Sequence, residues 1–247
     1  MPDEAILQLL RRAPFSFVGT VEHLGAATMS NVPIDNRTAV VHVDHVLHAP
    51  DAFAGLQGHR ITVRLAPDRD PPAVGDTVAF FAEGLAFGES VAVGEVGRLP
   101  VEEVVGHVTE AMEAGRPAFA SLQRQVDMSR MREHADGADA VVVGRVAKLE
   151  RAGGPVRSEH DPDWWKATLD VYHVEKGSVP PGELVVLYSN SIDVRWRTAP
   201  KPKASQGGLW FLHATEGELR AIAPFMILHP EDFQPTQELD TLRENRG

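Results

Sequence analysis

The stretch AVVHVDHVLHAP (39–50) has a counterpart later in the chain, ATLDVYHVEKGS (167–178). Both are rich in β-branched residues, both carry the pattern V-x-H-V, at 43–46 and at 171–174, and both end in turn-forming residues. Runs of this composition between turn residues are typical of β-strands. The two stretches therefore predict the same kind of strand in two parts of the chain.

Similar runs accompany each of these strands in the same order. The pairs are FSFVGTVEHL (15–24) with DAVVVGRVAKL (139–149), GHRITVRLAP (58–67) with GELVVLYSNS (182–191), and GDTVAFFAEG (75–84) with GGLWFLHATEG (207–217). A fifth run closes each half: ESVAVGEVGRL (89–99) and ELRAIAPFMIL (218–228). Chance similarity between short runs would not keep one order across about 90 residues, so the sequence predicts an internal duplication. Five short strands in each half are typical of a small closed or partly closed antiparallel barrel.

A different pattern fills the region between the two halves. In PVEEVVGHVTEAM, which begins at Pro100, apolar residues recur at the spacing of one helix face. These residues are Val101, Val104, Val105, Val108 and Met112. The glycine and proline of 115–117 end this predicted helix, and Phe119, Leu122 and Val126 predict one side of a second helix.

The predicted fold is therefore mainly β with helices: two tandem five-stranded OB-like barrels joined by a helical linker. The predicted boundaries are 1–99 for a short N-terminal helix plus the first OB-like barrel, 100–136 for the linker, 137–230 for the second OB-like barrel and 231–247 for a polar tail. The tail is predicted because the composition becomes polar and proline-bearing from Pro230 onward.

The second half also resembles a known family. Its motifs VVVGRV, WKATLDVYHVEKG, GELVVL and GGLWFLHA are similar to those of bacterial tissue-inhibitor-of-metalloproteinase-like (netrin-like) domains. The resemblance covers most of 139–228 and, more weakly, 15–99, and it implies an OB-like five-stranded barrel. Those inhibitors place an N-terminal cysteine on the catalytic metal of their target, but this chain has no cysteine. The resemblance therefore implies no inhibitory mechanism here, and no functional residue is transferred from the family.

Composition argues against several classes of function. The 247 residues carry a formal net charge of −11, with 35 acidic against 24 basic residues. Binding to phosphates normally requires a basic footprint, so this charge disfavours nucleic acids and anionic membranes as the main partner. The absence of cysteine excludes disulfides and thiolate chemistry. Since no apolar run is long enough for a membrane helix, we expect a cytoplasmic protein with no membrane partner.

The three histidines of the opening stretch do not predict a metal site. Strict alternation along a strand places His42 and His48 on one face and His45 on the other, with Val43 and Leu47. Ligands on opposite faces cannot converge on one ion unless a bulge intervenes. The counterpart strand keeps only one of the three histidines. We therefore expect these residues to have a structural role.

Residues typical of a binding surface cluster in two connections of the second half. Residues 157–165 join its first two predicted strands and residues 189–208 its third and fourth, so both loops are expected at the same end of an antiparallel meander. Together they hold three of the four tryptophans, whereas the corresponding loops of the first half hold none. Tryptophan and arginine dominate binding hot spots. The predicted binding residues are His160, Asp161, Trp164, Trp165, Asp193, Arg195, Trp196 and Lys201.

The sequence favours a non-enzymatic binding or scaffold protein that recognises a protein or peptide partner through the rim formed by these loops. It lacks the common nucleotide-binding, zinc-protease and nucleophile-elbow motifs, so we predict no catalytic residue, no metal ligand and no cofactor. One alternative is a metal-dependent or hydrolase-like enzyme that uses His160, Asp161 and Asp193, with Glu159 as a further candidate metal ligand. Single-stranded nucleic-acid binding through an OB-like face is a second alternative, which the charge disfavours.

Overall fold

A computed structural model of the protein describes residues 2–88, 90–115, 118–153, 160–180, 182–191, 193–236 and 238. The chain divides into two compact units, which we call unit 1 (Met1–Asp127) and unit 2 (Met128–Gly247). The protein is mainly β and contains two sheets, one in each unit, which confirms the predicted class.

Unit 1 contains a helix, α1 (Pro2–Leu10), followed by five strands that close into a barrel. The strands are β1 (Phe15–Leu24), β2 (Thr38–His48), β3 (Arg60–Arg64), β4 (Thr77–Phe87) and β5 (Val91–Pro100). Around the barrel they follow the order β1-β2-β3-β5-β4, and all neighbours are antiparallel except β3 and β5, which are parallel. The prediction of a five-stranded barrel in the first half is confirmed.

Inward-facing aromatic side chains fill this barrel. Phe15, Phe17 and Phe80 are fully buried, and the ring centroids lie 4.8 Å apart between Phe15 and Phe17 and 5.3 Å apart between Phe17 and Phe80. Phe53, in a 3-10 turn after β2, stacks on Phe15 at 4.8 Å. Burying each such ring contributes roughly 1.5–3 kcal/mol. This column of rings is therefore a main source of the barrel's stability.

Unit 2 contains six described strands in one sheet. They are β6 (Ala140–Arg151), β7 (Trp164–Lys176), β8 (Gly182–Ser189), β9 (Gly207–Ala214), β10 (Phe225–Ile227) and β11 (Phe233–Gln234). Their order is β10-β8-β7-β6-β9-β11, and β10 also pairs with β9. All pairs are antiparallel except β8 and β10, which are parallel. In partners and directions, β6, β7, β8, β9 and β10 therefore match β1, β2, β3, β4 and β5.

The first strand pair of each unit is irregular at corresponding places. The register of β1 with β2 shifts at three places: Ser16/Phe17, Val18/Gly19 and Val21/His23. The register of β6 with β7 also shifts at three places: Val141/Val142, Val143/Gly144 and Val146/Lys148. The spacing between the three shifts is the same in both pairs.

One glycine in each pair lies at the middle shift and allows the two strands to approach closely. A Cβ atom on Gly19 would lie 2.7 Å from Cγ1 of Val41, and one on Gly144 would lie 2.8 Å from the carbonyl oxygen of Asp170. Both distances are well below ordinary van der Waals contact. Glycine is therefore required at both positions for the observed strand geometry.

The same shift overturns the expected alternation of side chains in β2. The shift between Val18 and Gly19 leaves Asp44 without a register partner. Val43 packs inside the barrel, whereas Leu47 packs in a second apolar cluster, which includes residues of α1. The prediction that Val43 and Leu47 share a face is therefore wrong, because the extra residue of a bulge reverses the alternation.

Helices α2 (Val105–Ala114) and α3 (Ala120–Gly137) lie between β5 and β6, after a 3-10 turn at Val101–Glu103. The predicted apolar face of the first helix is only partly correct, because Val104 is buried but Val105 is 49% exposed. The turn winds more tightly than an α-helix, and α2 begins only at Val105, so the predicted spacing does not continue through this region. The side chain of Met112 and residues 116–117 lie outside the described part of the chain.

Helix α3 contributes to the core of each unit. In unit 1, Leu122 and Val126 of α3 and Phe119, in the turn just before it, are buried in the cluster that includes α1, as predicted. In unit 2, the last turns of α3 place Ala135 against Phe211 of β9. The first part of α3 therefore packs in the core of unit 1, and its last turns pack in the core of unit 2.

The end of unit 2 differs from the prediction. The strand expected over 218–228 is limited to β10, because Gly217–Ala221 form a 3-10 turn. The polar tail was expected from residue 231, but Asp232 is fully buried and the following two residues pair with β9 as β11. Residues 239–247 lie outside the described part of the chain.

Candidate functional site

Two loops of unit 2 meet beside the start of β7. Nδ1 of His160, in the first loop, lies 3.0 Å from Oδ2 of Asp193, in the second. The indole Nε1 of Trp196 donates a hydrogen bond to the backbone carbonyl of His160 at 3.0 Å. These contacts join the two loops that the sequence placed at one rim. Residues 154–159, which include the predicted ligand Glu159, lie outside the described residues.

Asp193 organises the second loop. Its carboxylate Oδ1 accepts a hydrogen bond from the amide of Arg195 at 2.9 Å, and its backbone carbonyl accepts one from the amide of Trp196 at 2.9 Å. The hydrogen bond from the Arg195 amide, followed by that from His160, lowers the pKa of Asp193. The charged carboxylate therefore stabilises the turn that carries Trp196.

A cleft of 470 Å³ opens beside this turn. The rings of Trp164 and Trp196 border it, with centroids 6.2 Å apart and planes inclined by 55°. The other lining residues are Asp161, Pro162, Gly217, Glu218 and Leu219. Among these described lining residues there are two indoles and two carboxylates but no basic side chain.

The two tryptophans of the cleft are held in different ways. Trp164 is only 7% exposed and packs with Leu187 and Ala223 in a small apolar cluster. Trp196 is half-buried and is held by the hydrogen bonds of its loop. Trp164 therefore forms a fixed floor, whereas Trp196 forms a wall whose position depends on the loop.

Of the predicted binding residues, Asp161, Trp164 and Trp196 line the cleft, whereas Trp165 and Arg195 lie away from it. Trp165 faces the opposite side of β7 from Trp164, as alternation along a strand requires, and packs against the main core of the sheet. Its Nε1 donates to Oδ2 of Asp163 at 3.0 Å. Arg195 is exposed and does not line the cleft. Of the three tryptophans predicted at the rim, two therefore border the cleft.

Lys201 has a structural contact within the second loop. Its Nζ donates to the backbone carbonyl of Trp196 at 3.0 Å and to that of Ser189. Burial lowers the pKa of Lys201. This lysine ties the end of β8 to the turn that carries Trp196, and it does not line the cleft.

The sequence patterns did not predict one side of the cleft. Gly217, Glu218 and Leu219 lie in the 3-10 turn after β9, where a strand was predicted from residue 218. The available signal was Gly217, whose φ of 56° is in the left-handed region that favours glycine. A turn at this glycine brings Leu219 into the apolar cluster around Trp164.

Metal-type ligands gather at a different place from the predicted one. Within the described part of the chain, one group of three histidine or carboxylate side chains has its ligand atoms within 4.8 Å of one another, and it consists of His134, His229 and Asp232. The predicted residues Asp161 and Asp193 do not belong to such a group. The geometry therefore gives no support to a metal centre at the rim.

Unit 1 holds a larger cleft, of 710 Å³, that no sequence pattern indicates. Three basic and three acidic residues are among those that line it: Arg11, Arg12, Arg69, Asp68, Glu83 and Glu95. The Glu95 carboxylate is engaged by Arg98, whose Nη1 lies 2.7 Å and 2.9 Å from its two oxygens. Because the lining charges balance, this cleft favours no particular class of ligand.

Comparisons with known proteins assign no family to the chain, so its function has to be inferred from the geometry of its clefts. No protein-family model matches the chain, and no curated protein matches it. Among the helices of the described residues, none combines the length and the apolar character needed to cross a bilayer.

Proposed function

We propose that the protein is a non-enzymatic binding module that recognises a protein or peptide partner at the Trp164–Trp196 cleft. The observation that carries this proposal is the pair of indole rings, 6.2 Å apart, that border an open cleft. Their positions are set before any partner arrives, one by packing and the other by the hydrogen bonds of its loop. Aromatic side chains that are ordered in advance lose little entropy on binding, as is typical of hot spots.

The chemistry of the cleft favours a cationic side chain on the partner. Of the aromatic rings, indole attracts an ammonium or guanidinium group over its face most strongly. Asp161 and Glu218 add carboxylates to the lining, and the net charge of −11 favours the approach of a basic partner. We therefore expect a lysine or arginine side chain of the partner to lie in the cleft against the face of an indole ring.

We further propose that the chain is a tandem duplication of an OB-like barrel, with the helices α2 and α3 as the linker. The matching strand partners and the equally spaced register shifts support this proposal. So do Gly19 and Gly144, which occupy corresponding positions. The resemblance to tissue-inhibitor-of-metalloproteinase-like domains agrees with it. In this interpretation β10 and β11 together take the place of β5.

One contact favours the enzymatic alternative. The Asp193 carboxylate, 3.0 Å from Nδ1 of His160, orients an imidazole in the way that a general base requires. However, the same carboxylate also accepts a hydrogen bond from the Arg195 amide, so loop closure alone accounts for the contact. We therefore place binding before catalysis at this rim.

The test uses the full-length protein and an array of short peptides with identical flanks and one variable central residue. The central residues are lysine, arginine and their neutral analogues norleucine and citrulline. We expect the lysine and arginine peptides to bind at least tenfold more tightly than their neutral analogues, which corresponds to about 1.4 kcal/mol. Equal binding of the charged and neutral peptides would show that the cleft does not select a cation.

A pair of variants assigns the binding to the cleft. Trp196→Ala removes the wall and should weaken peptide binding at least tenfold while the melting temperature stays near that of the wild type, because the ring is only half-buried. Val194→Ala is the control, since Val194 lies in the same loop, is 74% exposed and does not line the cleft. If Trp196→Ala binds as tightly as the control, the cleft is not the binding site.

A further inference from the structure

Three histidines and an aspartate of unit 2 meet at a place that the sequence patterns do not indicate. His134 lies in α3 and His213 in β9, whereas His229 and Asp232 begin and end the segment around the 3-10 turn Pro230–Asp232. The residues come from distant parts of the chain, and only folding brings them together. This cluster lies apart from the Trp164–Trp196 cleft and does not depend on its proposed function.

The Asp232 carboxylate is the centre of the cluster and is fully buried. Its Oδ2 accepts hydrogen bonds from the amides of Leu228, at 2.6 Å, and His229, at 2.8 Å. These bonds fix the carboxylate, whose Oδ1 lies 2.8 Å from Nε2 of His134 and 3.0 Å from Nε2 of His213. Two imidazole nitrogens therefore converge on one carboxylate oxygen.

His229 supplies a third imidazole to the cluster. Its ring centroid lies 4.9 Å from that of His134, and the ligand atoms of His134, His229 and Asp232 all lie within 4.8 Å of one another. The His229 residue is exposed, and its Nδ1 accepts only a long hydrogen bond, of 3.3 Å, from the amide of Glu231. His229 is therefore near enough to His134 and Asp232 to complete a group of three ligands.

We infer that His134, His229 and Asp232, with His213 beside them, form a binding site for a divalent transition-metal ion, with Zn²⁺ as the best match. Zinc binds imidazole nitrogens and carboxylate oxygens at about 2.0–2.2 Å in a tetrahedron, which places neighbouring ligand atoms about 3.3 Å apart. The two contacts with Asp232 Oδ1, at 2.8 and 3.0 Å, are already close to that spacing. For Nε2 of His134 to bind the ion, any proton on that nitrogen moves to Nδ1 of the same ring or is released to solvent.

The donor set separates zinc from the common hard cations. Ca²⁺ and Mg²⁺ take oxygen ligands and water, whereas imidazole suits Zn²⁺, Cu²⁺ and Ni²⁺. The imidazole nitrogens of His134 and His229, together with the carboxylate oxygen of Asp232, therefore select the second group. The side chains of His134 and His213 are 14% and 31% exposed, so an ion can reach the site from solvent.

The position of the site assigns a structural role to the ion. It joins α3, β9 and the segment between β10 and β11, where backbone pairing along the edge of β9 is interrupted. An ion bound by His134, His229 and Asp232 therefore links α3 to the segment between β10 and β11.

The first experiment uses chelator-treated full-length protein and titrates it with Zn²⁺ by calorimetry and with Co²⁺ by visible absorption. We expect one ion per chain, the intense visible bands of tetrahedral Co²⁺, and a melting temperature that rises with the concentration of free zinc. Absence of stoichiometric Zn²⁺ binding would overturn the inference and leave the cluster as hydrogen bonds alone.

The second experiment compares two histidine variants of unit 2. His229→Ala removes an exposed ligand, so we expect the metal-free protein to keep its circular dichroism spectrum while zinc affinity falls at least tenfold. His173→Ala is the control, because the His173 side chain is also exposed, at 56%, and lies outside the cluster. Zinc binding by His229→Ala that equals that of His173→Ala would also overturn the inference.

Discussion

The last strand of the barrel in unit 1 and the corresponding edge in unit 2 are built differently. In unit 1, β5 is one continuous strand that pairs with β4 over its whole length, from Val91 to Pro100. In unit 2, β9 pairs with β10 and then with β11, and the segment Leu228–Asp232 separates the two. That segment carries His229 and Asp232. An interrupted strand can therefore place polar side chains, here those of His229 and Asp232, beside a sheet that stays intact.

Proline accounts for the position of the interruption. A proline has no backbone N–H, so it cannot donate to a strand ladder and is confined to strand ends and edges. In β5 the only proline is the last residue, Pro100. In unit 2, Pro224 precedes β10 and Pro230 lies in the gap between β10 and β11. The pairing along β9 therefore stops and restarts around these residues.

The two cores also distribute their aromatic side chains differently. In unit 1, four phenylalanines share the interior of the barrel: Phe15, Phe17, Phe53 and Phe80. In unit 2, Trp210 is the fully buried aromatic residue of the main core, and its Nε1 donates to the carbonyl of Gly144 at 3.0 Å. Its ring centroid lies 4.6 Å from that of Phe233 in β11. The main core of unit 2 therefore has one fully buried ring, Trp210, where the barrel of unit 1 has three, Phe15, Phe17 and Phe80.

The difference between the two aromatic cores predicts the largest effect on stability. Trp210→Ala should lower the free energy of unfolding by about 3–5 kcal/mol, because it opens a cavity and leaves the Gly144 carbonyl without its partner. Phe80→Ala should cost less, since the neighbouring rings of Phe15 and Phe17 can close part of the cavity. Denaturant unfolding followed by far-UV circular dichroism measures both losses. A larger loss for Phe80→Ala would contradict the comparison of the two cores.

The paired glycines test whether the two units are equivalent. Gly19→Ala and Gly144→Ala should each destabilise the protein by about 1–3 kcal/mol, because the new methyl group would overlap the neighbouring strand. Gly207→Ala is the control, since a Cβ atom there has no heavy atom within 4 Å and its φ is not positive. The measurement is again the free energy of unfolding. If one of the paired variants is as stable as the control, the two strand pairs do not correspond.

The smallest expected effect concerns pH and is confined to unit 2. The pKa of Asp193 is lowered from its ordinary value of 3.8, so its contribution to the loop is present above that value and is lost as the pH falls through the lowered pKa. We expect near-UV circular dichroism of the tryptophans to be constant from neutral pH to about pH 5 and to change below the ordinary pKa. All four tryptophans lie in unit 2, so unit 1 does not contribute tryptophan bands.

Two substitutions test whether protonation of Asp193 causes this change in acid. Asp193→Asn should show at neutral pH the spectrum that the wild type shows only in acid, because the neutral amide cannot replace the charged carboxylate in the turn. Glu216→Gln, at an exposed position of the same unit, should titrate like the wild type. A wild-type acid transition that persists unchanged in Asp193→Asn would mean that another group controls the loop.

Local patterns determined much of the architecture. Alternating apolar residues between turn residues located β1 to β4 and β6 to β9, and the five strands of the first half indicated its barrel. Helical spacing located Phe119, Leu122 and Val126 on one buried face. These features depend on near neighbours in the chain, because burial of one face imposes a period of two on strands and of 3.6 on helices.

Only the tertiary structure decided the details on which the candidate sites depend. Three such details depend on residues that are distant in sequence. They are the register shift at Asp44, the turn that brings Leu219 beside Trp164, and the contact between His134 and Asp232. No local period encodes such contacts, because they depend on where a strand bulges or stops and on which side chains the packed elements then bring together. The sequence therefore determined the strands and the rim with its tryptophans, whereas the packing of those strands decided which residues form the cleft and the histidine cluster.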